Sequence, residues 1–318
     1  MKIKEIYYYY PNKKISNNFL NKKYPKWKVT KLFNFSGVKN RFIANQNETS
    51  LGMTVKLLKK ILKKNKNFLN KIDGIIFCTQ SPDYALPSNS SILHGLFNFR
   101  EDMFTLDINH ACSGFLYSLG IADSIIKSKR CKKIMLINSD TYSKMIKPSD
   151  RSTRILFSDA TAISIVDSSS ENLIDISFGA SGKNFEKLTY KGNGFSNTSL
   201  TKKKEYLSMD GMGIMSFINS KLPSQIFSLL KKNDYNLNDI DYFFFHQASK
   251  LALDNLIKVM KIPKEKVIMD LEKGNTVSAS IPIALKKNQI KKILKKNDLI
   301  LFSGFGVGLS WSSALYRY

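Results

Sequence analysis

The chain has little of what would tie a protein together from outside its core. Of its 318 residues only three are cysteine (Cys78, Cys112 and Cys131) and three are histidine. No CxxC pair and no His/Cys group at ligand spacing occurs, which argues against a disulfide framework and against a structural zinc or other metal site. Such sparing use of cysteine fits a reducing, cytoplasmic setting. The opening MKIKEIYYYYPNKKIS lacks the apolar core and small-residue cleavage site of a signal peptide. No apolar run approaches the roughly 18 residues needed to cross a bilayer. A soluble protein with no integral membrane segment is expected. Acidic side chains are scarce too, 25 against 50 Lys and Arg, which leaves a net charge of +25.

A charge of that size attracts polyanions, but its distribution points away from nucleic acid. Lysine is spread along the whole length among asparagine and isoleucine, and no aromatic-basic stripe, finger or compact basic arm emerges. Residues 55–69 (VKLLKKILKKNKNFL) and 289–300 (QIKKILKKNDLI) read as amphipathic helices whose lysines form a solvated face. Such a surface suits an acidic protein partner. The remaining composition, 43% hydrophobic and 24% charged, is ordinary for a globular chain. Its length suffices for one large domain or two core-bearing halves.

A long internal repeat favours two halves. Residues 69–81 (LNKIDGIIFCTQS) and 237–249 (LNDIDYFFFHQAS) share an Asn-x-Ile-Asp turn, a short apolar strand and a polar loop. This is the pattern of a buried parallel strand that delivers residues at its C-terminal end. Residues 107–114 (DINHACSG) can be laid over 270–277 (DLEKGNTV), and the apolar strands KKIMLINSD and NDLILFSGF follow in turn. In that superposition Cys112 falls on Asn275. The expectation is an α/β protein of two similar halves, 1–168 carrying the cysteine and 169–318 carrying His246 and Asn275, with their strand-to-helix corners meeting.

Each corner residue has a plain structural reading and a chemical one. Cys112 precedes a helical apolar period, where unpaired N–H groups and the helix dipole favour thiolate; a small buried cysteine would occupy the same corner. His246 follows a buried aromatic strand, as a core histidine would. Asn275 follows a glycine at a helix start, as an N-cap would. Taken together, a thiolate can hold an acyl group as a thioester, while an imidazole and an amide donate hydrogen bonds to a second thioester's carbonyl as it becomes an enolate. A Cys/His/Asn hydrolase uses the same residue types, but the sequence around its cysteine is absent here. The glycine-rich 303–315 segment (SGFGVGLSWSSAL) offers backbone N–H groups to an anionic oxygen, or is simply a tight turn.

DINHACSGFLYSL, FFFHQAS, GNTVSASIP and FGVGLSWSSALYRY, in this order, resemble the cysteine, histidine, asparagine and C-terminal glycine motifs of the β-ketoacyl-acyl carrier protein synthase III family of the thiolase superfamily. SGVKNRFIANQNETS, YALPSNSSILHGLF and KPSDRSTRILFSDATA extend the resemblance over nearly the whole chain. It implies a thiolase-like duplicated αβαβα five-layer architecture. It also implies a fatty-acid-type decarboxylating condensation of an acyl thioester with malonyl-carrier protein. Substrates would be coenzyme A or phosphopantetheine thioesters with no permanently bound cofactor; partners would be acyl carrier protein, acyl-CoA and a second copy of the chain in a homodimer.

Residue by residue, the resemblance makes Cys112 the acylated nucleophile and His246 with Asn275 the binders of the malonyl carbonyl. The backbone N–H groups of Cys112 and Val307 form the other oxyanion hole; Val307 stands where glycine is common, a change that a backbone donor tolerates. Leu86 stands where a phenylalanine often reaches the acyl pocket across the dimer interface. Arg151 matches an arginine associated with the nucleotide end of coenzyme A or with carrier-protein docking. Ser249 replaces a common asparagine, and Met215 a frequent aromatic. Residues 206–217 (YLSMDGMGIMSF) look more like divergent paralogues of specialised lipid or surface-glycan pathways. A cysteine-dependent transfer to an alcohol or amine and a non-catalytic carrier-binding module are the alternatives. His110 is read either as a charge tuning the thiolate or as an inert loop residue, and Cys78 and Cys131 as structural.

Overall fold

The computed structural model describes residues 1–192 and 205–318. Two mixed sheets form its skeleton. The first runs in the order Lys2–Tyr9, Ala160–Asp167, Lys133–Asp140, Gly74–Cys78, Phe104–Ile108. The second runs Tyr242–Phe245, Leu299–Gly306, Ser310–Arg317, Leu173–Ala180. Read from the Leu173–Ala180 edge, the second repeats the first strand for strand but stops one short. Where the fifth would lie, Val267 makes a single parallel bridge to Phe243.

Only part of each sheet is parallel, including both strands whose pattern predicts it. Gly74–Cys78 runs parallel to both neighbours, and Tyr242–Phe245 runs parallel to Leu299–Gly306. The other pairs are antiparallel. The reason is clearest in the second sheet. Only residues 307–309 separate Leu299–Gly306 from Ser310–Arg317, and so short a link can only reverse the chain, whereas a parallel return needs a crossover.

Three apolar clusters define the layers. Helices Ser50–Lys64 and Asn89–Leu96 cover the outer face of the first sheet, with Leu57, Leu58, Ile61 and Leu93 packed on Ile75, Phe77 and Ile137. Helices Gly211–Lys232 and Lys250–Met260 cover the second, with Leu222, Ile226, Leu253 and Leu256 on Phe243, Phe245 and Leu301. Between the sheets lie helices Gly114–Lys127 and Ser280–Ile290, whose Phe115, Leu119, Ile281 and Ala284 meet Ile76, Leu136, Phe244 and Phe302. The result is αβαβα. Phe115, Phe244 and Phe302 are fully buried, each contributing about 1.5–3 kcal/mol by leaving water.

Local sequence explains most element ends. Ser50–Lys64 opens on Thr49, whose hydroxyl accepts the Gly52 N–H at 3.0 Å, and closes on Lys63 and Lys64 beside the negative end of the dipole. The expected helix over 289–300 is not one. Ser280–Ile290 ends there, Lys292 and Asn297 adopt left-handed backbone, and Leu294 turns into the core before the strand Leu299–Gly306 begins. Among the described residues no helix is long and apolar enough to cross a membrane.

Candidate active site

Cys112 is clamped from two sides by glycines. After the strand Phe104–Ile108 the chain turns so that the Gly114 N–H bonds the Ala111 carbonyl at 2.8 Å, and the central helix begins at Gly114 with Ser113 as its N-cap. A Cβ at Gly114 would collide with Cys78 Sγ, which is held to the His110 carbonyl at 3.1 Å. From the second sheet, a Cβ at Gly304 would lie 2.6 Å from the Cys112 carbonyl oxygen. One at Gly306 would lie 2.9 Å from Cys112 Cβ and 3.1 Å from its Sγ. Glycine at 306 therefore leaves room for the thiol and for whatever it carries.

The charge around this thiol differs from the expectation of a lowered pKa. Burial pushes Cys112 up, the Asp140 carboxyl pushes the same way, its own backbone N–H opposes them, and Cys78 adds a smaller upward push. The helix N-terminus does not win, because Cys112 precedes the first turn and is only 7% exposed. Burial also raises Asp140, to about 7, against hydrogen bonds from the Gln80 N–H and the Ser278 and Thr79 hydroxyls. His110 supplies no cation: burial lowers its pKa, and its ring stacks on Tyr117 at 3.9 Å.

His246 follows the strand Tyr242–Phe245 as the apolar run requires, its N–H bonded to the Ser303 carbonyl at 2.8 Å. Its Nδ1 lies 2.7 Å from Ser280 Oγ. Burial lowers its pKa to about 3, opposed by hydrogen bonding to the Val277 backbone, so the ring is neutral at ordinary pH. Asn275 is not the helix N-cap. It precedes a short 3-10 turn, Val277–Ala279, and its Oδ1 accepts the Val277 N–H at 2.8 Å. Its own N–H and C=O bond Leu156 and Ser158, each at 2.8 Å, in the first half of the chain.

Cys112, His246 and Asn275 line one cavity of about 110 Å³, together with Phe305, Gly306 and, farther out, Met215 and Ser249. Ser249 also caps the helix Lys250–Met260, accepting the Ala252 N–H at 3.2 Å. Val307 lies in the hairpin turn, bordering a neighbouring cavity. The glycine-rich segment is thus strand, turn and strand, and does not simply follow the last strand. Arg151 is exposed at the start of the short helix Arg151–Arg154 and lines neither cavity. Leu86 is 81% exposed and lines neither. Reading the sequence missed Gly306, Ser280 and Asp140. Gly306 and Ser280 lie inside the glycine-rich and asparagine motifs already noted, and Asp140 is the polar residue ending a long buried strand.

Known proteins share this arrangement. Residues 106–182 match the family model for 3-oxoacyl-[acyl-carrier-protein (ACP)] synthase III, and residues 230–318 match the model of its C-terminal part. The β-ketoacyl-[acyl-carrier-protein] synthase III of Rickettsia felis is 34% identical over 316 residues, covering 98% of this chain and 97% of the relative. That of Rickettsia typhi is 33% identical with the same coverage. A crystal structure of a 3-oxoacyl-(acyl-carrier-protein) synthase III superposes with a TM-score of 0.94 at 30% identity, over 99% of both chains. The 3-oxoacyl-(acyl-carrier protein) synthase of Burkholderia xenovorans gives 0.91 at 29% identity, over 99% of this chain and 93% of that one. The duplicated five-layer fold, the ordered cysteine, histidine and asparagine motifs and these full-length matches have one meaning: the chain belongs to the β-ketoacyl-[acyl-carrier-protein] synthase III family and is an acyltransferase of thiolase fold.

Proposed function

We propose that Cys112, His246 and Asn275 divide between them the decarboxylating Claisen condensation that this acyltransferase catalyses. The observation that carries the assignment is their convergence, from two different sheets, on one buried cavity. In the first half-reaction Cys112 Sγ attacks an acyl thioester. A new C–S bond forms, the donor's C–S bond breaks, and the cysteine proton leaves with the donor thiol. The backbone N–H groups of Cys112 and Val307 hold the oxyanion. In the second, the malonyl thioester carbonyl accepts hydrogen bonds from the Asn275 amide and the His246 ring. We assign the ring proton to Nε2, with the Ser280 hydroxyl donating to Nδ1. The bond to the malonyl carboxylate breaks and carbon dioxide leaves; the enolate carbon attacks the acyl carbonyl, and Sγ departs as the β-ketoacyl product forms.

The neutral imidazole supports this role. A permanently charged ring would hold the malonyl carboxylate by its charge and oppose its departure, whereas a neutral donor stabilises the enolate oxygen as charge develops there. The net charge of +25 suits an acidic acyl carrier protein as the malonyl donor, with CoA or carrier protein bringing the primer. Met215 and Ser249 border the thioester arm, and exposed Arg151 meets the nucleotide end of CoA or the carrier. Exposed Leu86 reaches the acyl pocket of a second copy in a homodimer. Acyl thioesters are substrates, no cofactor stays bound, and the chain works in the cytoplasm as two halves meeting near residue 168.

Intact-mass measurement with a panel of acyl-CoAs and acyl-carrier proteins, before and after malonyl-carrier protein, tests the reading. A mass gain that maps to Cys112 and collapses with carbon dioxide release supports it. Cys112→Ala should abolish the gain, and His246→Ala should leave it while greatly slowing its collapse. Equal loss of both half-reactions in His246→Ala contradicts the division of labour. Collapse onto an alcohol or amine without carbon dioxide would mean simple acyl transfer.

A further inference from the structure

A second cavity, about 380 Å³, adjoins the one that holds Cys112; its walls include Gln80, Asn109, Tyr142, Leu188, Val307 and Gly308. Leu188 lines both cavities. Cys112, Tyr142, Leu188 and Val307 pack in one cluster. An acyl group on Cys112 with its carbonyl oxygen at the Val307 N–H would therefore extend its tail into this space.

Met145, Phe185, Leu188 and Leu207 make much of the wall apolar, but one side of it is polar. The Tyr142 hydroxyl donates to Gln80 Oε1, and Gln80 Nε2 donates to Asn109 Oδ1 at 3.0 Å. Tyr142 is only 2% exposed, while Asn109 stands at the open end. These donor directions orient both amides. The Asn109 Nδ2 and the second N–H of Gln80 remain as donors, and the Tyr142 oxygen keeps a lone pair. An alkyl chain laid against this relay strips water from the Gln80 amide and the Tyr142 oxygen and returns nothing. A chain bearing an oxygen within reach restores the bonds.

We propose that this cavity selects a short oxygenated acyl group, a hydroxyacyl chain, over an alkyl chain of equal length as the primer carried on Cys112. The inference rests on Cys112 being the acylated residue. The hydroxyl takes no part in the chemistry: the donor's C–S bond breaks, the Cys112 C–S bond forms, and the donor thiol takes the cysteine proton. Selection arises because a site built to bond a substrate hydroxyl rejects the analogue lacking it far more strongly than an apolar site rejects an added hydroxyl.

The test compares 3-hydroxybutyryl with butyryl groups, each offered to the full-length chain as a CoA thioester and as a carrier-protein thioester. Single-turnover acylation of Cys112 is followed by intact mass. The hydroxy donor should acylate at least about tenfold faster, equivalent to roughly 1.4 kcal/mol. Tyr142→Phe and, separately, Gln80→Met should bring that ratio towards one. Because the readout is a ratio between two donors, a loss of folded protein cancels, and either variant suffices if the other does not fold. Equal or faster acylation by butyryl in the unaltered chain overturns the inference and leaves Cys112 as nucleophile. So does a ratio that moves in neither variant. Acylation by none of the donors overturns both.

Discussion

Val277 donates its backbone N–H to Asn275 Oδ1 across 2.8 Å while its own φ is +54°. A β-branched residue in the left-handed region is strained, at a cost on the order of 1–3 kcal/mol, and persists only where its surroundings enforce it. One strained residue thus fixes the orientation of the Asn275 amide.

That relationship makes Asn275→Asp more informative than Asn275→Ala. Aspartate keeps an oxygen for the Val277 N–H, so the turn survives, but it replaces the amide donor with an acceptor. Acylation of Cys112 should persist, and condensation should fall by roughly 10²–10³, the usual cost of losing one such donor. Alanine removes the acceptor too and leaves a buried N–H unpaired, adding a stability loss of about 1–3 kcal/mol. The two half-reaction rates and a thermal melt on both variants check this. Full condensation in Asn275→Asp would remove the amide from the oxyanion role.

Two glycines of the strand Leu299–Gly306 press on different parts of Cys112. At Gly306 the added methyl of Gly306→Ala meets the Cys112 side chain, 3.1 Å from Sγ. At Gly304 it meets backbone, 2.6 Å from the Cys112 carbonyl oxygen. The first variant should acylate at least about tenfold more slowly, since a misplacement of about 1 Å at a reacting centre costs up to about 10²-fold, and should also lose some stability, because its methyl lies 2.9 Å from Cys112 Cβ, which no rotamer change moves. The second should lose about 1–3 kcal/mol, because overpacked backbone cannot rotate out of the way. Thermal unfolding together with iodoacetamide labelling of Cys112 distinguishes them.

Much of this site could be read from sequence because its three side chains sit at corners. Cys112, His246 and Asn275 each follow a short apolar or glycine-marked stretch, and an internal repeat lays the first over the last. What could not be read is long-range. Tyr142 and Gln80 meet across 62 residues, and Cys112 meets Gly304 and Gly306 from the other sheet. The lysine run after Gln289 kept a helical period, yet left-handed Lys292 and Asn297 break it so that Leu299–Gly306 can join its sheet. The thiol's pKa was misjudged for a related reason: position along a helix is visible in sequence, and depth of burial is not.

Asp140 converts that burial into a pH dependence. Its folded pKa is raised from 3.8 to about 7 by desolvation, and its charge is among the causes that raise Cys112. As pH climbs through about 7 the carboxyl ionises and adds to the burial that already opposes thiolate formation at Cys112. Asp140→Asn keeps an oxygen for the Gln80 N–H, 2.7 Å away, while its amide nitrogen takes the place of the oxygen that accepts from Ser278, so that the Ser278 hydroxyl must turn to accept instead. Cys112 labelling by iodoacetamide should therefore shift to lower pH in the variant. Stability gives an independent sign. A carboxyl whose folded pKa lies above its unfolded one favours the fold below pH 3.8 and loses that contribution as pH rises to about 7. The melting temperature of Asp140→Asn relative to the unaltered chain should then be higher at pH 8 than at pH 5. His246 does not confuse the comparison: its ring, depressed to about 3, is neutral at both pH values and is common to both proteins. A labelling profile that stays in place would mean that Asp140 does not govern the nucleophile, whatever the melts do.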